Sequence, residues 1–293
     1  MQKSTGDARH TEQIEAHGLK ALRLRSSGSE ALVYLHGAHV AAFSTAEQGE
    51  LLWTSSRAVY QAGKAIRGGV PLCFPWFGAH KTRADLPAHG FARTRAWEFA
   101  GSEQQADDVV AELTLSSSIE TQAWYPHAFQ ARLRIRVGQK LSLAFEVENR
   151  GPSSLAYELA LHAYLGVSDV RQVALHGLKG ATYADKVSGA QGLIEQSAAL
   201  NFVGETDRVY QSATRLSVDD PASKRRIVIE KAGSASTVVW NPWLDRAQRM
   251  SDFGADEWPK MLCVEAANAG SDSVELAPGA RHVTSATVSA EAI

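Results

Sequence analysis

Strict two-residue alternation governs what this sequence can become. In FQARLRIRV (129–137), Phe129, Ala131, Leu133, Ile135 and Val137 share one parity, while Gln130, Arg132, Arg134 and Arg136 take the other. Successive side chains of an extended chain point to opposite faces, so the pattern predicts a strand buried on one side only. A turn at Gly138-Gln139-Lys140 follows, after which Leu141, Leu143, Phe145 and Val147 alternate against Ser142, Glu146 and Glu148. The two runs predict an antiparallel hairpin. Strands are also expected at 19–25, 31–36, 38–44, 95–100, 108–116, 155–165, 172–176, 226–231, 236–240, 261–266, 273–276 and 281–289, most of them separated by Gly, Pro, Asn or Ser. Nowhere does a helical period persist for three turns.

Half-apolar strands in this number must cover one another's faces, which predicts an all-β fold, a large antiparallel β-sandwich. At 293 residues the chain is long for one domain, yet all-β domains reach this size, and no linker, low-complexity run or repeat divides it. Residues 18–293 are therefore expected to form a single domain, 1–17 a mobile N-terminal tail, and the weakly periodic stretch 187–213 loops. With 30 Lys+Arg against 32 Asp+Glu, the chain has no basic field to attract a polyanion, so nucleic acid is not expected as a partner. The first residues are polar and include acids, unlike a signal or transit peptide, which predicts a cytoplasmic protein. The most apolar stretch, 68–78, contains Pro71 and Pro75 and falls far short of a bilayer span. Cys73 and Cys263 stand among apolar neighbours and are expected to be reduced core thiols.

Polar residues that interrupt the strands are the candidates for chemistry. In LAYELALHAYL (155–165), Leu155, Tyr157, Leu159, Leu161 and Leu165 are expected to face the core, leaving Glu158, His162 and Tyr164 on the opposite face. A histidine there suits proton transfer, although a histidine satisfied within a sheet fits the same pattern. Glu265 is the one charge in MLCVEAAN (261–268). Desolvation would make it a stronger base, whereas a nearby arginine would leave it a structural anion. Arg67 precedes Gly68-Gly69, whose backbone could approach an anion closely, and Arg93 ends PAHGFAR (87–93). Two forked cations could clamp a phosphate or simply form surface ion pairs. His89 could hydrogen-bond a hydroxyl or stabilise its turn, and Trp240 and Trp243 could stack on a sugar or close one end of the sandwich. Nucleotide-binding, serine-hydrolase and zinc-protease signatures are absent, and nothing in the pattern calls for a metal or cofactor.

Seven segments occur in order: AIRGGVPLCFPWFG (65–78), PAHGFARTRAW (87–97), LHAYLGVSDV (161–170), YADK (183–186), VWNPW (239–243), DFG (252–254) and CVEAANA (263–269). Together they resemble the hexose-6-phosphate mutarotase (glucose-6-phosphate 1-epimerase) family over about residues 30–280. The resemblance implies the galactose-mutarotase-like supersandwich, an isomerase that interconverts the α and β anomers of a hexose phosphate, and no cofactor. By motif it makes His162 the catalytic acid and Glu265 the catalytic base, assigns Arg67 and Arg93 to the phosphate end of the sugar and Asp185 to substrate binding, and places His89 near the anomeric carbon. Some relatives of that family carry a polar side chain where Ala88 stands. An aldose 1-epimerase for unphosphorylated sugars, a non-catalytic carbohydrate-binding sandwich and, more remotely, a glycoside-cleaving enzyme are the competing readings. The expected partner is a small-molecule hexose phosphate, with no nucleic acid, membrane or obligate protein partner.

Overall fold

In the computed structural model, which describes residues 10–293, the alternating runs form strands Phe129–Val137 and Leu141–Asn149, paired antiparallel with Leu133 opposite Phe145. Ala131, Leu133, Ile135, Val137 and Phe145 are fully buried, and each large apolar side chain so placed contributes about 1.5–3 kcal/mol. On the outer face Arg132 lies 3.0 Å from Glu112 and 2.8 Å from Glu146, and Arg136 lies 3.0 Å from Asp108. Such exposed pairs add little stability. Their mixed charge keeps a broad sheet face in water instead of against a second sheet.

This hairpin is part of a nine-stranded sheet in the order Leu200–Asn201, Ala174–His176, Leu216–Asp220, Arg225–Ala232, Arg281–Ala292, Leu141–Asn149, Phe129–Val137, Asp108–Ser116, Glu98–Gln105. An eight-stranded sheet runs Ile194–Glu195, Thr182–Asp185, Thr206–Gln211, Ser236–Asn241, Met261–Asn268, Leu159–Leu161, Leu72–Cys73, with Tyr164–Gly166 also paired to Met261–Asn268. Five strands between Thr11 and Glu50 make a third sheet. One apolar cluster joins all three through Leu133 and Phe145, Val239 and Val264, and Val33 and Phe43. The antiparallel sandwich read from the sequence is the architecture found.

Three local expectations change. Residues 1–9 lie outside the described residues, but the expected tail is shorter than 1–17, because Thr11–Ala16 is a strand with Ile14 opposite Ala21. Its burial is shallow, with Ile14 and Ala16 leaning on a small cluster around Tyr34, so TEQIEA carries little alternation. Thr206–Gln211, inside the expected loop region, is a strand between Thr182–Asp185 and Ser236–Asn241. Each of its faces carries both polar and apolar side chains, which hides the period. The run 155–165 divides at Glu158, where the chain passes from pairing with Val274–Leu276 to pairing with Met261–Asn268, and again at His162 and Ala163, where the His162 amide donates to Pro71 O at 3.1 Å, giving Leu155–Tyr157, Leu159–Leu161 and Tyr164–Gly166. Its parity survives: the odd leucines are in the core cluster, and His162 and Tyr164 face the other way.

Gly68 and Gly69 solve a packing problem more than an anion-binding one. Gly69 has φ +57°, its N–H donates to Trp53 O at 2.7 Å, and a Cβ there would stand 2.2 Å from Val40 O. The segment carrying Arg67 can thread between Trp53 and Val40 only without a side chain. Gly69→Ala should therefore lower unfolding free energy by more than about 2 kcal/mol in denaturant titrations, from strain and steric overlap together.

Candidate active site

Alternation along the eight-stranded sheet assigns each strand residue to the core or to a cleft. Directly opposed residues share a face, so Asp207, Trp240, Cys263 and Tyr164 form one row and Val209, Val238 and Glu265 the next. Val239 and Val264, one residue along, point into the core at 0% and 1% exposure. The cleft face, closed by loops bearing Arg67, Phe77, His89 and Arg93, bounds a cavity of about 480 Å³. That volume suits a small-molecule ligand.

At its floor, His162 Nδ1 lies 3.4 Å from Glu265 Oε1, with the two side chains 9% and 1% exposed. The contact is not an aligned hydrogen bond, and His162 Nδ1 and Glu265 Oε2 are both buried without a partner among the described residues. Burial holds His162 well below the ordinary histidine value, helped by His89, Arg93 and Arg67. Burial, then Asp207, lifts Glu265 well above the ordinary glutamate value. Both shifts favour neutral forms, so the pair holds one proton in total, the same count as imidazolium beside carboxylate. Tyr164 stacks on His162 with ring centres 4.7 Å apart and planes within 7°, and Trp240 meets both rings edge-on.

Arg67 and Arg93 are both on the cavity wall, as expected. Arg67 donates from Nε and Nη2 to Asp252 Oδ2 at 3.2 and 3.1 Å, and from Nη1 to Tyr164 Oη at 2.9 Å. Burial works against its charge, but Tyr164 and Asp252 more than offset that and raise its pKa. Three of five guanidinium N–H bonds are engaged, which leaves two for a ligand. Arg93 donates from Nη2 to Ala88 O at 2.9 Å, while its buried Nε has no partner among the described residues. Lys186 and Arg246 add two further cations, Arg246 paired with Glu205 at 2.8 Å and both within 4.0 Å of Asp207, which with Glu265 supplies the carboxylates of the wall among the described residues.

His89, with φ +65°, is brought beside His162 at 6.1 Å between ring centres. Its Nδ1 accepts from Gly78 N–H at 3.3 Å, which assigns the ring proton to Nε2 and makes it a donor. Burial, then Arg93 and Lys186, lowers its pKa to about 3, so it stays neutral. Glu158 is not beside His162 as its partner. Its carboxylate accepts from the Phe77 and Gly270 amides and from Lys81 at 3.2–3.3 Å, and so anchors the loop that bears Gly78.

Asp185 is the one proposed site residue that the cleft does not receive. It stands opposite Arg208, one residue from Asp207 and hence on the other face. Its carboxylate accepts from the Val187 and Ser188 amides at 2.9 Å and from Arg208 Nε at 3.3 Å. The carboxylate that this part of the sheet brings to the cavity wall is Asp207, which the mixed faces of Thr206–Gln211 conceal in the sequence. The indoles also part: Trp240 lines the cavity, whereas Trp243 packs on Trp258 at 4.2 Å. Arg246, on helix Trp243–Arg249, had no signal in the sequence; Lys186 and Asp252 belong to short motifs singled out there.

The aldose 1-epimerase family model matches residues 20–289, and the chain belongs to that family of isomerases. A protein of Cenchrus ciliaris, provisionally named glucose-6-phosphate 1-epimerase, is 36% identical over 273 residues, covering 89% of this chain and 82% of its own. A relative in Escherichia coli K12 with the same provisional name is 36% identical over 80% of this chain and 78% of its own. The crystal structure of a provisionally described mutarotase, YeaD from Salmonella typhimurium, superimposes with TM-score 0.89 at 28% identity, covering 97% of this chain and 94% of the other.

The site geometry fixes a protonation state that can be observed directly. Long-range proton–nitrogen spectra near pH 5.5 should show His89 as neutral imidazole protonated at Nε2, since its midpoint lies near 3. A midpoint between 6 and 7, or an Nδ1-protonated ring, would contradict the arrangement around Gly78.

Proposed function

We propose that the chain interconverts the α and β anomers of a hexose 6-phosphate, with glucose 6-phosphate the foremost candidate. The observation that carries this reading is charge: Arg67, Arg93, Lys186 and Arg246 face the cavity and are only partly offset, Arg67 by Asp252 at 3.1 Å, Arg246 by Glu205 at 2.8 Å and Lys186 by Asp207 at 4.0 Å, while Arg93 has no carboxylate partner among the described residues. Glu265 is driven towards its neutral form, which widens the cationic surplus. An unphosphorylated sugar would gain nothing from it, whereas a phosphate gains charge-assisted hydrogen bonds. The names of the relatives support the same substrate class. We further read the chain from Thr11 onward as one domain, on the strength of its continuous core and of the pairing of Thr11–Ala16 with the strand that follows, and place the enzyme in the cytoplasm.

Glu265, as carboxylate, takes the proton from the C1 hydroxyl while His162, as imidazolium, protonates the ring oxygen. The C1–O5 bond breaks, C1 becomes an aldehyde, rotation about C1–C2 presents its other face, and reclosure returns both protons. The charged arrangement needed is a proton tautomer of the resting pair, so no proton is drawn from solvent. Substrate stabilises it, because the C1 hydroxyl donates to the carboxylate and the ring oxygen accepts from the imidazolium. His89 Nε2–H is a further donor beside this centre, Asp207 replaces Asp185 as the carboxylate for a sugar hydroxyl, and Trp240 offers a ring face to apolar C–H groups.

Glu265→Gln and His162→Ala should each lower turnover by about 10²-fold or more with the circular dichroism unchanged. The pH profile follows from the one-proton pair. Activity falls on the acid side as His162 takes a second proton, below 6.5, and on the alkaline side as Glu265 loses its proton, well above 4.5. Glu265→Gln should abolish the acid limb in its residual rate, because no carboxylate remains for a second proton to neutralise, and leave an alkaline limb set by His162 alone, below 6.5. Magnetisation-transfer NMR of anomer exchange measures all of these.

The same assay tests substrate class. Glucose should be a much poorer substrate than glucose 6-phosphate, with the gap narrowing as salt is added. Because the phosphate is remote from C1, Arg67→Ala and Arg93→Ala should raise KM more than they lower kcat. Equal treatment of the two sugars by the wild type would favour the free-aldose reading.

A further inference from the structure

Tyr164 is buried at 1% exposure, yet its side chain lines the cavity beside Arg67. Its oxygen accepts the Arg67 Nη1 hydrogen bond at 2.9 Å, so its own O–H must find a different acceptor. Among the described residues no protein atom accepts it: neither Asp252, occupied by Arg67, nor the buried Cys263 opposite it in the sheet lies within hydrogen-bonding geometry. A buried hydroxyl donor left without a partner costs about 1–3 kcal/mol, and such a group on a cavity wall is one built to meet a ligand. Burial also raises the Tyr164 pKa, which keeps the phenol protonated.

We propose that Tyr164 is a specificity-determining residue, whose hydroxyl joins the two free N–H bonds of Arg67 in a donor-only cradle for the phosphate of the substrate. This rests on the phosphosugar reading and adds a neutral donor to it. The cradle follows from the order of the hydrogen bonds. Asp252 fixes the guanidinium from behind, Arg67 fixes the phenol oxygen from the side, and the remaining hydrogens of both project towards neighbouring oxygens of one multivalent anion. A phosphate accepts at each of those oxygens and donates at none when fully ionised. A neutral hydroxymethyl group brings one oxygen and a proton of its own, and cannot satisfy the set. The stack of Tyr164 on His162 is a separate contact made by the ring face, which phenylalanine retains.

Tyr164→Phe removes only the hydroxyl. The ratio of kcat/KM for glucose 6-phosphate to that for glucose should fall about tenfold or more, the loss carried by KM for the phosphosugar, and the inhibition constant of inorganic phosphate should rise by a similar factor. The His162–Glu265 limbs of the pH profile should stay in place. A wild type that prefers glucose 6-phosphate together with a variant of unchanged ratio overturns the proposal and leaves the phosphosugar reading intact, as does an equal loss on both sugars, which would place the residue behind His162. A wild type with no preference removes the reading itself. Should the variant not fold, wild-type protein carrying [ζ-¹³C]tyrosine decides: saturating inorganic phosphate should move one resonance among the seven tyrosines, and no movement overturns the cradle.

Discussion

The period of two along strand Met261–Asn268 is the constraint on which both stability and chemistry hang. Leu262, Val264 and Ala266 enter the core, while Cys263 and Glu265 take the other face and Glu265 lines the cleft, so a single strand sets both the packing and the position of the proposed base. Its neighbours repeat the division, with Val239 inward and Trp240 outward on one side and Leu165 inward and Tyr164 outward on the other. A carboxyl group at 1% exposure can be held there because the sheet around it is otherwise complete. The core gives the backbone too little freedom for Glu265 to reach water.

That enclosure explains the electrostatic character of the floor. In a dry site the cost of charge pushes His162 and Glu265 towards neutrality, while the arginine charges, fixed by Asp252 and by backbone carbonyl, remain. The result is a histidine–glutamate pair held towards neutrality inside a wall that bears four cations. On the proposed mechanism such a site attracts an anion by its walls and transfers protons without changing its own charge.

Much of this was readable from residues alone, and the reasons for the rest are specific. Phe129–Val137 and Leu141–Asn149 announced themselves because one face is wet and the other dry. The parity of Glu158, His162 and Tyr164 was right for the same reason, although Glu158 serves a loop and not the histidine. Thr206–Gln211 was invisible because its cleft face and its inner face each mix polar with apolar groups, and Asp207 was lost with it. The motif at 183–186 then drew attention to Asp185, which the register puts on the wrong side by one residue. Arg246 reaches the cavity from a short helix, a relation that no periodicity encodes.

The position of the cleft within the sheet also bears on how such enzymes can diverge. Glu265 lies on a strand paired on both sides, whereas Asp207 and Lys186 come from or beside strands towards one margin, and Arg246 from the helix that follows Ser236–Asn241. A change of preferred sugar can therefore accumulate at the margin while the interior, and the proton chemistry it carries, is inherited intact. A one-residue insertion in Met261–Asn268 has no such freedom, since it would exchange every core residue beyond it for a cleft residue. Lineages built on this scaffold are thus expected to vary by substitution around the rim and by length only in the loops.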